Sequence, residues 1–103
     1  MILVTGSIVA RDDRLADALA LSIEHVHRSR KEPGCIAHAV HQDAENPRRL
    51  VFVEQWADRA AIATHFALPA SRVFAAAVAA LATETPSMTI YDATPVRVGS
   101  AGS

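Results

Sequence analysis

The sequence lacks several features that define common classes of protein. Cys35 is the only cysteine, which excludes an internal disulfide and a zinc site built from cysteines. No apolar run approaches the roughly 20 residues that span a bilayer, and the apolar start, MILVTGSIVA, lacks the basic segment of a signal peptide. Ten basic and eleven acidic residues nearly cancel, and no basic stripe indicates nucleic-acid binding. We therefore expect a soluble, cytoplasmic protein that binds neither membranes nor nucleic acids.

Cofactor motifs are missing as well. The chain has no glycine-rich phosphate loop, nucleophile elbow or dinucleotide fingerprint. His38, Glu54 and His65 have the residue types of a two-histidine, one-carboxylate metal triad, but their spacing matches no ligand motif. We therefore predict that an enzyme built from this sequence works without a nucleotide cofactor, and we do not expect these three residues to bind a metal ion.

Apolar spacing and turn residues predict a single α+β domain. The predicted strands are residues 2–10, 35–42, 50–56 and 87–92. The predicted helices begin near Arg14, after Asp58 and after Pro69, and the first has Lys31 in its last turn. The order βαββααβ predicts a ferredoxin-like antiparallel sheet with helices on one face. Residues 1–93 would form this domain, and residues 94–103 would form a tail that is partly disordered.

Both faces of the middle strands are predicted to be apolar. Because side chains alternate along a strand, one face carries Ala37, Ala39, Val51 and Val53. The helices of one domain can cover only the other face, and an exposed apolar patch of this kind usually marks an interface. We therefore predict a homodimer that buries sheet against sheet.

The face toward the helices carries unexpected polar groups. Phe52, Glu54 and Trp56 point the same way, and His65 falls on the inward stripe of the second predicted helix. A carboxylate buried alone is strongly destabilising, and an imidazole close to Glu54 would give it a partner. The residues leave two interpretations open. The pair either fixes the strand-to-helix corner or forms a general acid/base pair that lines a cavity.

Other residues are candidates for the same cavity. Trp56 is either core or a flat wall for an aromatic ligand, with its indole N–H as a donor. His38 lies at the edge of the core or points into the cavity, and Tyr91 lines the cavity or packs beside it. His25 and His27 are two residues apart on a helix and are predicted to lie on the surface.

The segments EPGC (32–35) and NPRRLVFVEQWADRAAIATH (46–65) resemble the antibiotic biosynthesis monooxygenase family, especially its small quinol-monooxygenase-like members. The shared pattern is E-P-G-C, a hairpin, E-x-W, an aspartate cap and a histidine seven residues after that cap. The resemblance covers residues 1–92 and implies a dimeric α+β barrel. It also implies oxidation of anthrones or quinols by dioxygen without flavin, metal or haem.

Individual residues follow this pattern and depart from it. Trp56 matches the family's strand tryptophan, and Glu54 and His65 match its E-x-W…H pattern. His38 stands where many members have tyrosine, and Phe52 stands where anthrone-oxidising members have asparagine. Haem-degrading relatives use a histidine on the third helix, and because SRVFAAAVAAL has none, haem degradation is not expected.

The leading expectation is a cofactor-independent monooxygenase that oxidises a small aromatic quinol- or anthrone-like metabolite with dioxygen. His65 would be the base and Glu54 its orienting partner. The substrate-binding residues would be Trp56, His38, Phe52 and Tyr91. Two alternatives remain: a cofactor-free isomerase that acts by proton transfer, and a non-catalytic dimer that binds a small ligand.

Overall fold

The computed structural model describes residues 1–99, which form one layer of helices on an antiparallel sheet. The strands are β1 (Ile2–Val9), β2 (Cys35–Gln42), β3 (Arg49–Trp56) and β4 (Ser87–Asp92). The helices are α1 (Leu15–Ser29), α2 (Arg59–Ala67) and α3 (Pro69–Ala80), and a single 3-10 turn (Asp12–Arg14) precedes α1. The predicted ferredoxin-like βαββααβ fold is confirmed.

The sheet order β2-β3-β1-β4 places β3 and β1 at its centre. Glu54 on β3 is directly opposite His38 on β2 and Val4 on β1. Because directly opposed residues project on the same face of a sheet, these three side chains share the face that the helices cover. This register therefore places the Glu54 carboxylate and the His38 imidazole side by side in the interior.

Local sequence explains where α2 and α3 begin. The Asp58 side chain accepts a hydrogen bond from the Ala61 N–H at 2.9 Å and so caps α2. Pro69 occupies the first turn of α3, where its missing N–H costs nothing. Gly34 has a φ of +83°, and a Cβ there would lie 2.5 Å from the Ala61 Cβ. A larger residue at position 34 would push α2 away from the turn that precedes β2.

The first helix ends earlier than predicted. α1 stops at Ser29, so Lys31 lies in the turn that follows and not in the last turn of the helix. The N–H groups of Lys31 and Glu32 bond to the carbonyls of Arg28 and Ser29, each three residues back. This tightening of the chain is typical of a helix terminus. It places Glu32 immediately beyond the end of α1.

The core consists of two apolar clusters. One contains Ile8, Ala10, Ala18, Val26, Leu50, Phe52 and Val78. The other contains Ile2, Val4, Trp56 and Ile62. On β3, Glu54 lies between Phe52 of the first cluster and Trp56 of the second. Glu54 therefore lies at the boundary between two apolar regions.

The opposite face of the sheet carries the residues expected there. Ala37, Ala39, Val51 and Val53 point away from the helices, and the two valines are half-buried within one chain. Tyr91 projects from β4 on this same face, opposite Leu3, and is 47% exposed. This face therefore combines aliphatic side chains with one accessible aromatic ring.

The end of the described chain is irregular. Residues 93–99 form no helix or strand, and Val96 and Val98 are exposed. The predicted disorder of the tail also concerns residues 100–103, which lie outside the described residues. Within residues 1–99 no single helix is long and apolar enough to cross a membrane; only α2 and α3 taken together have the length and composition, with a bend of 69° between them.

Candidate functional site

Glu54 is buried, 5% exposed, and held by two neighbours. The Trp56 indole N–H donates to Glu54 Oε1 at 2.9 Å, and His38 Nε2 lies 3.2 Å from the same oxygen. Burial, the largest influence, acts to raise the pKa of Glu54. The contact with His38, the Trp56 N–H and the nearby His65 together outweigh it and lower the pKa. Glu54 is therefore a carboxylate tied to the sheet.

His65 contacts Glu32 and not Glu54, which was the predicted partner. On α2, it is 3% exposed, and its Nδ1 lies 2.8 Å from Oε1 of Glu32. The prediction that His65 pairs with Glu54 is wrong because the turn after α1 brings Glu32 to Nδ1 of His65, while Oε1 of Glu54 contacts Trp56 and His38 instead. The His65 ring also packs on Trp56, with the ring centroids 4.6 Å apart. The sequence signal for Glu32 was the EPGC motif, in which it is the first residue.

His25 is a second correction. It was predicted to lie on the surface, but it is 5% exposed and stacks on Phe74, with centroids 4.0 Å apart and planes within 5°. The Arg28 guanidinium lies 3.1 Å from its Nδ1. Burial, followed by the proximity of His38 and His65, lowers the pKa of His25 to about 3. His25 is therefore uncharged at neutral pH.

A helical stripe carries His25 inward. Ala18, Ser22 and Ser29 on α1 are fully buried on the same side as His25. The Ser22 and Ser29 hydroxyls return to the carbonyls of Ala18 and His25, each at 2.7 Å, so neither is left unpaired. This spacing of small residues was visible in the sequence. Alanine and serine have little hydrophobicity, so the sequence did not indicate that this face of α1 is buried.

Three buried imidazoles meet at the centre of the site. The ring centroids of His25, His38 and His65 lie 5.2–5.7 Å apart. One nitrogen of each ring lies within 4.8 Å of the others, an arrangement from which three histidines could ligate a divalent metal ion. Both His38 nitrogens are buried without a hydrogen-bond partner among the described residues, because the contact with Glu54 is not aligned as a hydrogen bond.

Arg28 opposes metal binding by this cluster. A guanidinium has only donors, so Nδ1 of His25 accepts and the ring hydrogen lies on Nε2, the nitrogen left for a metal. Its positive charge would also repel a cation nearby. The described contacts therefore favour a hydrogen-bonding site over a metal centre.

A cavity of about 150 Å³ lies beside the imidazoles, between the sheet and the helices. His25, His65 and Glu54 contribute polar groups to its wall, and Phe52 and Phe74 are among its mainly apolar lining. Phe74 was not predicted from the sequence to line the cavity.

Three predicted substrate-binding residues do not line this cavity. Trp56 and His38 lie behind its wall, where they contact Glu54 and His65. Tyr91 lies on the other face of the sheet. It is adjacent to Ile90, which faces the helices, and side chains alternate along a strand. Within one chain, Phe52 is the only predicted substrate-binding residue in the described lining.

The fold and the enclosed polar cluster define a small α+β domain with a site for a small molecule. The sequence pattern of the antibiotic biosynthesis monooxygenase family matches residues 1–77. The chain belongs to the antibiotic biosynthesis monooxygenase family. A relative of uncharacterised function from Synechocystis, sll1783, is 37% identical over 68 residues, which cover 66% of this chain and 46% of the relative. The chain thus spans about half the length of this curated relative.

Solved structures agree with this membership. An antibiotic biosynthesis monooxygenase superposes with a TM-score of 0.85 at 28% identity, covering 92% of this chain and 100% of that one. A candidate antibiotic biosynthesis monooxygenase from Deinococcus radiodurans gives a TM-score of 0.89 at 26% identity, covering 95% and 97%. Rv0793 from Mycobacterium tuberculosis, at 24% identity and a TM-score of 0.84 over 96% and 98%, shares the fold.

Proposed function

We propose that this chain is a cofactor-independent monooxygenase that oxidises a small quinol-like compound with dioxygen. The observation that carries the proposal is the 2.8 Å contact between His65 Nδ1 and Glu32 Oε1 at the edge of an apolar cavity. Family membership supports a small-molecule oxygenase or binding protein. The quinol-like substrate and the oxidation itself belong to the proposal.

The Glu32 carboxylate orients His65 as a base. An ionised carboxylate only accepts hydrogen bonds, so Nδ1 of His65 donates and the lone pair of the neutral ring lies on Nε2. Such a carboxylate–histidine pair fixes the tautomer and the orientation of the ring. His65 lines the cavity, so that this lone pair is available to a substrate hydroxyl.

The oxidation needs no electrons from the protein. Nε2 of His65 takes the hydroxyl proton, and the electron-rich anion reacts with dioxygen. One oxygen atom forms a new bond to a substrate carbon. Two substrate hydrogens leave with the other oxygen atom as water, and the substrate supplies the four electrons that reduce dioxygen. The protein contributes the base, the orientation and a mainly apolar surrounding.

Cavity size favours a single-ring substrate. An apolar protein cavity of about 150 Å³ accommodates one benzene-sized ring, and the cavity here has that volume. The rings of Phe52 and Phe74 approach each other edge to face, 6.0 Å apart, and form part of its wall. The volume of the cavity therefore matches a one-ring quinol.

Oxygen uptake with a panel of one-ring quinols and anthrones tests the function. We expect oxygen consumption with a quinol and, with isotopically labelled dioxygen, one labelled atom in the product. Conversion without oxygen uptake would identify an isomerase instead. Saturable binding of the whole panel without any conversion would identify a binding protein.

We also propose that two copies pair through the open face of the sheet. The half-buried Val51 and Val53 and the accessible Tyr91 support this arrangement, since one chain leaves them facing water. The lining residues described for the cavity all come from one chain. In the proposed dimer, the second copy would cover the apolar face of the sheet.

A further inference from the structure

His25 contacts the cavity beside His65 but has no part in the proton abstraction described above. It extends from α1, is 5% exposed and is stacked on Phe74. The Arg28 guanidinium is 3.1 Å from its Nδ1. A buried polar ring held from two sides at a cavity wall has a fixed orientation toward any ligand.

Arg28 determines which nitrogen of His25 carries the hydrogen. The guanidinium cannot accept a hydrogen bond, so Nδ1 accepts and the hydrogen of the neutral ring lies on Nε2. Burial, then His38, His65 and Arg28, lower the pKa of His25 to about 3, against the opposing effect of Glu54. The ring is therefore a neutral N–H donor at physiological pH.

His65 has the complementary tautomer. Its Nδ1–H is given to Glu32, so its Nε2 is an acceptor, whereas Nε2 of His25 is a donor. The two ring centroids are 5.2 Å apart, and one nitrogen of each lies within 4.8 Å of the other. Two hydrogen bonds of about 2.9 Å that meet at one tetrahedral oxygen span roughly 4.7 Å between their nitrogens. A hydroxyl oxygen that accepts from Nε2 of His25 and donates to Nε2 of His65 needs a separation of this size between the two nitrogens, and both rings line the same cavity.

We propose that His25 is a catalytic hydrogen-bond donor that holds the substrate hydroxyl while His65 removes its proton. The proposal rests on the proposed function. The O–H bond breaks, an N–H bond forms at Nε2 of His65, and the electron pair stays on the oxygen. The Nε2–H of His25 then stabilises the resulting oxyanion, and a neutral donor does so without competing for the proton.

This donor–acceptor pair selects a class of substrate. The oxygen must both donate to His65 and accept from His25, which a hydroxyl can do and an ether or a ketone cannot. The anion must also be stable enough to form, which favours a hydroxyl on an aromatic ring or an enol. We therefore assign the site to phenols, quinols and enols small enough for the cavity.

Ionisation of para-nitrophenol bound to the whole protein tests the donor without requiring turnover. Its phenolate absorbs visible light, so a titration gives the ionised fraction of the bound probe. We expect wild-type protein and His25→Gln, which keeps an N–H in the same region, to favour the phenolate. In His25→Met, the acid ionisation constant of the bound para-nitrophenol should be about tenfold lower than in wild type. His27→Met, an exposed position on the same helix, is the matched control.

The same variants give a kinetic readout with an oxidised quinol. His25→Met should lower kcat by roughly 10²-fold with little change in KM, because the donor acts mainly on developing charge. His25→Gln should recover part of that loss. Equal phenolate fractions in wild type and His25→Met would overturn the donor role, as would failure of wild-type protein to bind the probe. An ionisation shift in a protein that consumes no oxygen with any quinol would support the donor and overturn only the proposed reaction.

Nitrogen NMR of the wild-type imidazoles keeps the test independent of any variant's folding. The spectrum should show His25 with its hydrogen on Nε2 and His65 with its hydrogen on Nδ1. A hydrogen on Nδ1 of His25 would overturn the proposal, because Arg28 would then not be its donor.

Discussion

Glu32 lies just beyond the end of α1 and accepts a hydrogen bond from Nδ1 of His65 on α2, at 2.8 Å. The two residues are 33 positions apart in the chain, and Glu32 keeps 14% of its side chain exposed while His65 keeps 3%. The turn after α1 thus provides the orienting carboxylate, and the base comes from a helix that begins after β3. Glu32 acts as a positioning residue.

Replacing this carboxylate should impair turnover while leaving binding intact. We expect Glu32→Gln to lower kcat by roughly 10–100-fold with KM unchanged, because the amide no longer fixes the tautomer of His65. Glu32→Asp should restore part of kcat. Glu45→Gln, at an exposed position, is the control. Equal kcat for Glu32→Gln and wild type would show that Glu32 only supports the turn.

Burial of neutral His25 should make the fold sensitive to acid. The pKa of His25 is about 3 in the folded chain against an ordinary value of 6.5, so between these values the unfolded state binds a proton that the folded state does not. The free energy of unfolding should therefore decrease as pH falls through this window, by up to about 1.4 kcal/mol per pH unit. Denaturant titrations of wild type and His25→Gln measure the effect. The variant should show a shallower slope, and His27→Gln should not.

Glu54 should matter more for folding than for proton transfer. Glu54→Leu removes the acceptor of the buried Trp56 N–H and the neighbour of His38, and an unpaired buried donor costs about 1–3 kcal/mol. Glu54→Gln keeps an oxygen for the indole and should cost less. Urea unfolding of both variants gives the comparison. If Glu54→Leu is as stable as wild type, the carboxylate does not hold this part of the sheet.

A charge on the open face of the sheet should separate the proposed dimer. Val53→Asp places a carboxylate in the proposed interface, and we expect sedimentation to give the mass of one chain for this variant and of two chains for wild type. Val73→Asp, at a valine that is 68% exposed on α3, is the matched control and should remain paired. A monomeric wild-type protein would rule out the dimer.

The fold was predictable because its signals are local. Strand alternation fixed which side of β3 faces the helices, and Asp58 and Pro69 marked the starts of α2 and α3. The inward positions of Glu54 and Trp56 follow from this alternation, and that of His65 follows from helical spacing on α2. Each of these features depends on neighbours within one or two turns of the chain.

The partners of these residues were not predictable in the same way. The pairing of Glu54 with His38 depends on the register between two strands, and that of His65 with Glu32 depends on how tightly the chain turns after α1. His25 was predicted to lie on the surface from its spacing to His27, and its stripe of alanine and serine gives little hydrophobic contrast that would indicate burial. The choice of Glu32 as the partner of His65 depends on long-range geometry. The burial of His25 was missed because the residues beside it on α1 are small.

The central claim is that His65 is the base of an oxygen-consuming reaction. The most direct measurement is oxygen uptake with one quinol by wild type, His65→Gln and the exposed control His27→Gln, with folding of each variant confirmed by thermal unfolding. The account predicts that kcat falls by roughly 10²–10⁴-fold in His65→Gln and is unchanged in the control. Wild-type kcat in a folded His65→Gln variant would contradict it.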